Sequence, residues 1–579
     1  MNNQSGVRSY TARRRLLIGC FMAFTALMLW RVVDLHVIRN DFLRNLGDSR
    51  SLREVEIHAH RGAIVDRNLE PLAISTPVVT VGVVPRKILT EETGIPRLAA
   101  ALEMDTQELQ QLLNDRIARD FIYLRRHITP EQGDYIQGLE IQGVHFQREY
   151  KRYYPAGEVT AHLIGFTNVD DVGQEGLELA YDDWLVGTPG LKRVLKDSLG
   201  RTVQDVESIQ ASEPGQQLVL SIDRRVQYLA YRELTAAVSR HKAKGGTLVM
   251  LDAKTGEVMA MVGQPSYNPN NRSELKGEQY RNRAVTDIFE PGSTIKPFTI
   301  AAALESGLYK ADSRIDTAPG FLRVNNHTIR ENEDHNYGVI DLAGVISKSS
   351  NIGASKLALS LGPERIWEMF SRFGLGTTTG SGYPGESPGL FNHYRVWSEI
   401  DLATIAFGHG VAVTTLQLAQ AYATLAAGGL QRPVSFIKLD GPVVGTQVLS
   451  EQIAEQIKFM MEGVTQEGGT GTKAKVDGYR IAGKTGTARK STTGGYSLTH
   501  FRSLFAGFAP ISNPRLVLAV MIDEPEGGQY YGGLVAAPVF SQVMKGALRI
   551  LNIPPDDPGS MPGQVIMAQN RTVFPGTQR

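Results

Sequence analysis

The sequence predicts an α+β protein of several domains behind one N-terminal transmembrane helix. Three observations lead there. The chain has 579 residues, 42% hydrophobic and 21% charged, a globular composition with length for about three or four domains. One uncharged run, residues 16–30, follows a cluster of arginines. Beyond it, period-2 and period-3.6 apolar patterns alternate along the chain, and neither dominates.

The N-terminal element comes first. Arg8, Arg13, Arg14 and Arg15 precede the uncharged run. Fifteen helical residues span about 22 Å, short of the ~30 Å hydrocarbon core. The apolar pattern resumes with Val32, Val33, Leu35, Val37 and Ile38, with Trp30 as an aromatic anchor and Arg31 able to snorkel. Residues 16–38 are therefore the expected anchor. Residues 1–15 form a basic tail that the positive-inside rule keeps cytoplasmic, with the bulk exported. No small-x-small site closes the run, which favours an uncut anchor over a cleaved signal peptide. The single cysteine, Cys20, lies in this run and excludes a disulfide framework, a cysteine-based zinc site and an iron–sulfur cluster. Lys+Arg 61 against Asp+Glu 60 leaves no cationic excess for nucleic-acid binding.

Residues 39–219 read as mixed short strands and helices. Their acidic stretch at 165–178 lacks calcium-loop spacing and reads as structure. The texture changes near Gln217. A helical pattern covers 224–241, and residues 245–263 read as a hairpin around Lys254-Thr255-Gly256. A helix is expected over 294–308 after Pro291-Gly292-Ser293. Two strands follow late in the chain, joined at Ser512-Asn513-Pro514. Residues 220–553 thus form a second domain, and the proline-rich 554–579 is expected to be a disordered tail.

The chemistry rests on Ser-x-x-Lys, Ser-x-Asn and Lys-Thr-Gly, each weak alone. Ser-x-x-Lys is expected about twice by chance in such a chain, yet it occurs at Ser239/Lys242, Ser273/Lys276, Ser293/Lys296 and Ser435/Lys438. Ser435 and Lys438 lie in a strand-like pattern, where a spacing of three points side chains to opposite faces. Ser239 closes a polar helix, and Ser273 sits in a charged loop. Only Ser293 opens an apolar helix, where Lys296 stacks on the same face. Lys254-Thr255-Gly256 is turn chemistry. Lys484-Thr485-Gly486-Thr487 precedes a strand pair, with glycines that admit close backbone approach. Ser349-Ser350-Asn351 connects two helical segments. The ordered trio matches the motif set of serine acyltransferases acting on β-lactams and their targets.

The segments around these motifs, FEPGSTIKPF, SKSSNIGASK and AGKTGTARK, resemble the active-site boxes of penicillin-binding transpeptidases. The anchor, HRGAIVDRN, RYYPAGE, GQEGLE and SYNPNNR extend the resemblance over nearly the whole chain. It is to the class B penicillin-binding proteins, in particular their cell-division branch in Gram-negative bacteria. The resemblance implies an elongated pedestal and a transpeptidase domain built on a five-stranded antiparallel sheet between helices. It implies no glycosyltransferase domain and no cofactor or metal. Two departures stand out. Leu69 occupies a turn position where family members often carry glycine. Phe407 and His409 stand where division enzymes tend to carry tyrosines, which leaves room for a specialised paralogue.

The resemblance also assigns roles. Ser293 is the nucleophile and Lys296 its base, with Lys484 as the neighbouring cation that lowers its proton affinity. Ser349 relays a proton, and Asn351 orients Lys296 and the substrate amide. Thr485, Gly486 and Thr487 hold the substrate, with His409 and Tyr531 as further lining candidates. Implied partners are peptidoglycan stem peptides, β-lactams, the inner membrane and other cell-wall proteins such as a membrane glycosyltransferase. The rival readings are a β-lactamase, against which the anchor and the long preceding domain stand, a penicillin sensor or division scaffold, and a D,D-carboxypeptidase.

Overall fold

The computed structural model describes residues 8–42, 52–57, 59–91, 93–196, 202–273, 277–441, 443–492 and 495–561. It divides into two compact units. One comprises 1–60, 77–150 and 187–214; the other comprises 61–76, 151–186 and 215–579. Residues 562–579, most of the expected tail, lie outside the described residues. Residues 554–561 are held in place: the Gly478 amide donates to Ser560 Oγ at 2.9 Å, and the Arg480 amide to Asp556 at 2.8 Å.

In the first unit, helix α1 (Arg8–Val33) is followed by a π-helical turn over Asp34–Ile38, and all of α1 that is described is exposed. Leu52–Ile57, Gly190–Lys196 and Thr202–Gln210 make a three-stranded antiparallel sheet. A separate core gathers Val81, Val83, Leu98, Leu102, Leu109 and Leu113. Its helices start where the sequence supplies caps: Asp105 accepts from the Gln107 and Glu108 amides, and Thr129 from that of Gln132.

The second unit is organised by one five-stranded antiparallel sheet. In chain order its strands are β1 (Gly245–Asp252), β2 (Val258–Gln264), β3 (Ala482–Thr492), β4 (Gly495–Ala509) and β5 (Leu516–Asp523), and their spatial order is β2-β1-β5-β4-β3. Alternation decides what each face buries. Leu248, Met250, Leu518 and Val520 pack with Val535, Phe540 and Val543 of the helix Gly532–Ile550. Val249, Leu251, Val517 and Ala519 face the opposite core. Both faces are covered, so every residue of β1 is buried and the strand reads as a continuous apolar run.

On that opposite side lie α2 (Lys296–Glu305), α3 (Leu342–Ser347), α4 (Asn351–Leu361) and α5 (Thr415–Ala426). All twelve residues of α5 and the first nine of α2 are buried. Thr414 opens α5 with a capping box completed by Gln417.

The acidic segment 165–178 is structural. Glu178, fully buried, receives Arg61 at 2.7 Å and Arg152 at 2.6 Å, while Arg61 also meets Asp182 at 2.7 Å. Leu69 keeps the left-handed conformation of the glycine turn, with φ 68°. The turn is held by Asp66, whose Oδ1 accepts from the Asn68 amide at 2.7 Å and the Glu70 amide at 2.9 Å. Because Leu69 is 62% exposed, its side chain contributes little packing there. Leu69→Gly should therefore stabilise the protein by about 0.5–1 kcal/mol. The check is thermal unfolding, where a lowered midpoint would show that the leucine makes compensating contacts.

Candidate active site

Ser293 sits in a 3-10 turn, Gly292–Ile295, that runs directly into α2. The helix thus runs over Lys296–Glu305 rather than the expected 294–308, beginning two residues later and ending three earlier. Pro297 fits the first turn, where a missing N–H costs nothing. Gly292 has φ 52°, a conformation that favours glycine. The turn is pinned from inside: buried Thr294 donates to the Pro291 carbonyl at 2.7 Å, and the Tyr422 hydroxyl of α5 donates to the Thr294 carbonyl at 2.7 Å. Lys296 Nζ lies 3.0 Å from Ser293 Oγ, the contact the i+3 spacing predicts.

Ser349-Ser350-Asn351 joins α3 to α4. Ser350 caps α4, accepting from the Gly353 amide at 2.9 Å. Ser349 is left-handed, with φ 61°, and in that conformation its carbonyl and hydroxyl both meet lysines. Lys296 Nζ donates to the Ser349 carbonyl and to Asn351 Oδ1 at 2.9 Å, and lies 3.2 Å from Ser349 Oγ. Lys484 Nζ reaches the same hydroxyl at 2.9 Å and the Thr485 carbonyl at 3.0 Å.

Strand β3 brings Lys484 there because two backbones close on its glycines. A Cβ on Gly486 would stand 2.9 Å from the Pro291 carbonyl. One on Gly532 would stand 2.3 Å from the Gly486 carbonyl. The register sets Lys484 opposite Ala506 and Thr487 opposite Ser503. Thr485 Oγ1 pairs with Thr470 Oγ1 at 2.8 Å, and Thr487 Oγ1 accepts from the Gly532 amide at 3.0 Å. Ser293, Lys296, Ser349, Asn351 and Lys484 are thus one connected cluster, with Thr485, Gly486 and Thr487 along its edge.

His409 contacts the rings of Phe407 and Tyr496, with centroids at 5.1 and 5.3 Å. Burial lowers its proton affinity; Glu290 opposes this, and Lys296 and Arg489 add to it. The Tyr531 hydroxyl points to Asn332 at 3.4 Å, while its ring lies beside Tyr530, which stacks on Phe501. The other motif copies scatter. The Lys254 and Thr255 amides cap onto Asp252 in the β1–β2 turn. Ser435 and Ile437 make only isolated bridges rather than the expected strand; the Ser435 hydroxyl donates to the Ile437 carbonyl at 2.9 Å, and Lys438 reaches the Arg67 carbonyl at 3.3 Å. Lys276 lies outside the described residues.

Both lysines are fully buried. Burial brings Lys296 down to about 7, with Glu331 opposing the fall. Lys484 lies well below the usual lysine range, through burial and then repulsion from Lys296. Both lysines are thus pushed toward the neutral amine, and the nearby carboxylate of Glu331 acts on Lys296.

Two acidic residues carry no motif signal. Glu331 receives the Ser350 hydroxyl and the Asn351 amide, and Glu290 Oε1 receives the Gly410 amide at 2.9 Å and the Tyr496 hydroxyl at 2.8 Å. Both are set by contacts distant in sequence.

Comparison with known proteins follows the same lines. The penicillin-binding protein transpeptidase domain matches residues 246–545, and the penicillin-binding protein dimerisation domain matches 56–220. The chain belongs to the penicillin-binding transpeptidases, in the class that carries a dimerisation domain. It is 46% identical to the peptidoglycan D,D-transpeptidase FtsI of Escherichia coli K12, over 94% of this chain and 92% of that protein. It is 42% identical to the probable peptidoglycan D,D-transpeptidase PbpC of Pseudomonas aeruginosa, over 94% of this chain and 96% of that one. Among solved structures, the apo transpeptidase domain of Burkholderia pseudomallei penicillin-binding protein 3 is 39% identical with a TM-score of 0.54, covering 59% of this chain and 98% of that one. Penicillin-binding protein 3 of Mycobacterium tuberculosis, complexed with aztreonam, is 28% identical with a TM-score of 0.67, covering 87% and 99%. The chain is a serine-type D,D-transpeptidase with the mixed fold of this family.

The geometry makes Gly408 a sensitive position. Its φ is 91°, and a Cβ there would stand 2.2 Å from the Gly292 carbonyl, next to Ser293. Gly408→Ala should slow acylation by a fluorescent penicillin at least about tenfold, since displacement of a reacting atom by even 1 Å is costly. An unchanged rate in the folded variant would show that the Gly292 turn tolerates displacement.

Proposed function

We propose that this transpeptidase cross-links peptidoglycan stem peptides in septal wall synthesis, through an acyl-enzyme on Ser293. One observation carries the reading. Lys296 is fully buried with Nζ at 3.0 Å from Ser293 Oγ, and two other contacts, the Ser349 carbonyl and Asn351 Oδ1, only accept. A neutral amine has two N–H bonds to give. Both go to those acceptors, so the lone pair is left for the Ser293 hydroxyl.

Ser293 Oγ attacks the carbonyl of the penultimate D-alanine and passes its proton to Lys296 Nζ. Backbone N–H groups of Ser293 and Thr487 receive the oxyanion, each worth roughly 3–4 kcal/mol in comparable sites. The C–N bond to terminal D-alanine breaks, and the leaving amine takes a proton through Ser349, whose hydroxyl touches both lysines. An amine from a neighbouring strand then attacks the ester, and Ser293 regains its proton as the new amide forms. A β-lactam follows the first half and leaves Ser293 blocked.

The terminal carboxylate of the donor lies at Lys484, with the Thr485 and Thr487 hydroxyls beside it. An anion there favours the proton on Lys484, and repulsion from that ammonium then favours a neutral Lys296. Substrate thereby favours the neutral base. Strand β3 is the edge of its sheet, so an extended donor peptide is held along it as an added strand.

The helix from Tyr10 to Ile38, 29 residues with a mean hydropathy of 2.1 in its most apolar window, is long enough to cross a membrane. We assign it to the inner membrane with the N-terminus cytoplasmic, because Arg8, Arg13, Arg14 and Arg15 sit at that end. The catalytic unit is then periplasmic, beside a membrane glycosyltransferase that supplies uncross-linked strands.

Ser293→Ala should abolish labelling by fluorescent penicillin and fail to restore septation in depleted cells. Persistent labelling of that folded variant would remove the nucleophile assignment. For the wild type, the acylation rate should rise with pH through about 7, because loss of the Lys296 proton creates the base. A stopped-flow pH series that falls across that range would contradict it.

A further inference from the structure

The element that shapes the base is the buried carboxylate of Glu331. It is 4% exposed and follows the hairpin Phe321–Val324 and His327–Arg330. It receives the Ser350 hydroxyl on one oxygen and the Asn351 amide on the other, at 2.6 Å. The preceding residue completes the grip, since the Arg330 carbonyl accepts from Asn351 Nδ2 at 3.0 Å. With its NH2 group so engaged, Asn351 has its oxygen turned to Lys296. The hairpin end thus holds the first residue of α4 by both its backbone and its side chain, directly beside Ser349 in its left-handed conformation.

We propose that Glu331 is a positioning residue of the transpeptidase reaction: its carboxylate clamps Ser350 and Asn351 so that Ser349 and Asn351 present their oxygens to Lys296. The proposal rests on the reading of Lys296 as the base. The charges around the amine support it. Of the charged groups, Glu331 is the carboxylate that acts on Lys296. Lys484 on β3 and His409 in the loop after Glu399–Ile405 are the basic groups coupled to it, and His409 itself feels Glu290 and Arg489. Glu331 also faces the Tyr337 phenol. An ammonium loses its main counter-charge if Glu331 is neutralised, so it deprotonates at lower pH.

The test measures acylation of the purified full-length chain by fluorescent penicillin across the neutral pH range. Glu331→Gln keeps an oxygen for the Asn351 amide and removes the charge. Its acid limb should move to lower pH by about one unit, while Glu331→Asp should keep the wild-type limb. Ser350→Ala loosens the clamp and keeps the charge; it should slow acylation at every pH without moving the limb. An unmoved limb in folded Glu331→Gln, or a moved one in Ser350→Ala, overturns the proposal. A wild-type profile with no acid limb removes this inference and the base assignment together, whereas a wild-type limb that Glu331→Gln leaves in place removes this inference alone.

Discussion

Two fully buried lysine side chains, Lys296 and Lys484, end on the same hydroxyl of Ser349. Removing one ammonium from water costs several kcal/mol even after relaxation. Removing two, side by side, adds their repulsion. The surrounding groups answer mainly with neutral acceptors, the carbonyls of Ser349 and Thr485 and the amide oxygen of Asn351, and with the single carboxylate of Glu331. Such a cage accommodates one ammonium and one amine far better than two ammoniums. A proton vacancy is therefore built into the folded state, and a serine within hydrogen-bond reach of that vacancy becomes a nucleophile.

The vacancy is useful only if the two amines and the serine hold fixed positions, and the backbone around them is correspondingly unusual. Gly292, Ser349 and Gly408 all have positive φ, at 52°, 61° and 91°. Two of the three are glycine, for which this region carries no steric cost. Ser349 is not, because its hydroxyl is needed, and there local preference gives way to chemistry. Such conformations persist where the surroundings over-determine them. Here the surroundings are the buried helices α2 and α5 and an edge strand whose glycines let Pro291 and Gly532 press against it. The rigidity of the sheet and its two cores is thereby transmitted to atoms that must stay near 3 Å apart.

What was legible in the sequence divides along the same line. Ser293 and Lys296 are set by helical spacing, and the glycines flanking Lys484 and Thr485 announce close packing, so local pattern sufficed. The copies at Ser435/Lys438 and Lys254-Thr255-Gly256 were separated by local pattern too, although Ser435 and Ile437 form isolated bridges rather than a strand. Glu331, Glu290 and Gly408 were not legible. Each matters through a partner brought near by the fold: Ser350 and Asn351 for Glu331, Tyr496 for Glu290, Gly292 for Gly408. A short-range pattern carries no trace of such pairings. The charge acting on Lys296 escaped for the same reason, since it comes from a carboxylate 35 residues downstream in sequence and near one lysine and not the other.

That asymmetry acts on Lys296 alone. In the free protein the carboxylate of Glu331 favours a proton there, against the burial that lowers its affinity. A carboxylate arriving at Lys484 pulls the other way, from the opposite side of the Ser349 hydroxyl. The Ser349 hydroxyl links the two amines through contacts of 3.2 and 2.9 Å. On the proposed placement of the donor carboxylate, an anion at Lys484 favours the proton there and a neutral amine at Lys296. On that proposal, specificity for carboxylate-terminated peptides, and for the β-lactams that imitate them, is a property of the proton balance as well as of the binding contacts.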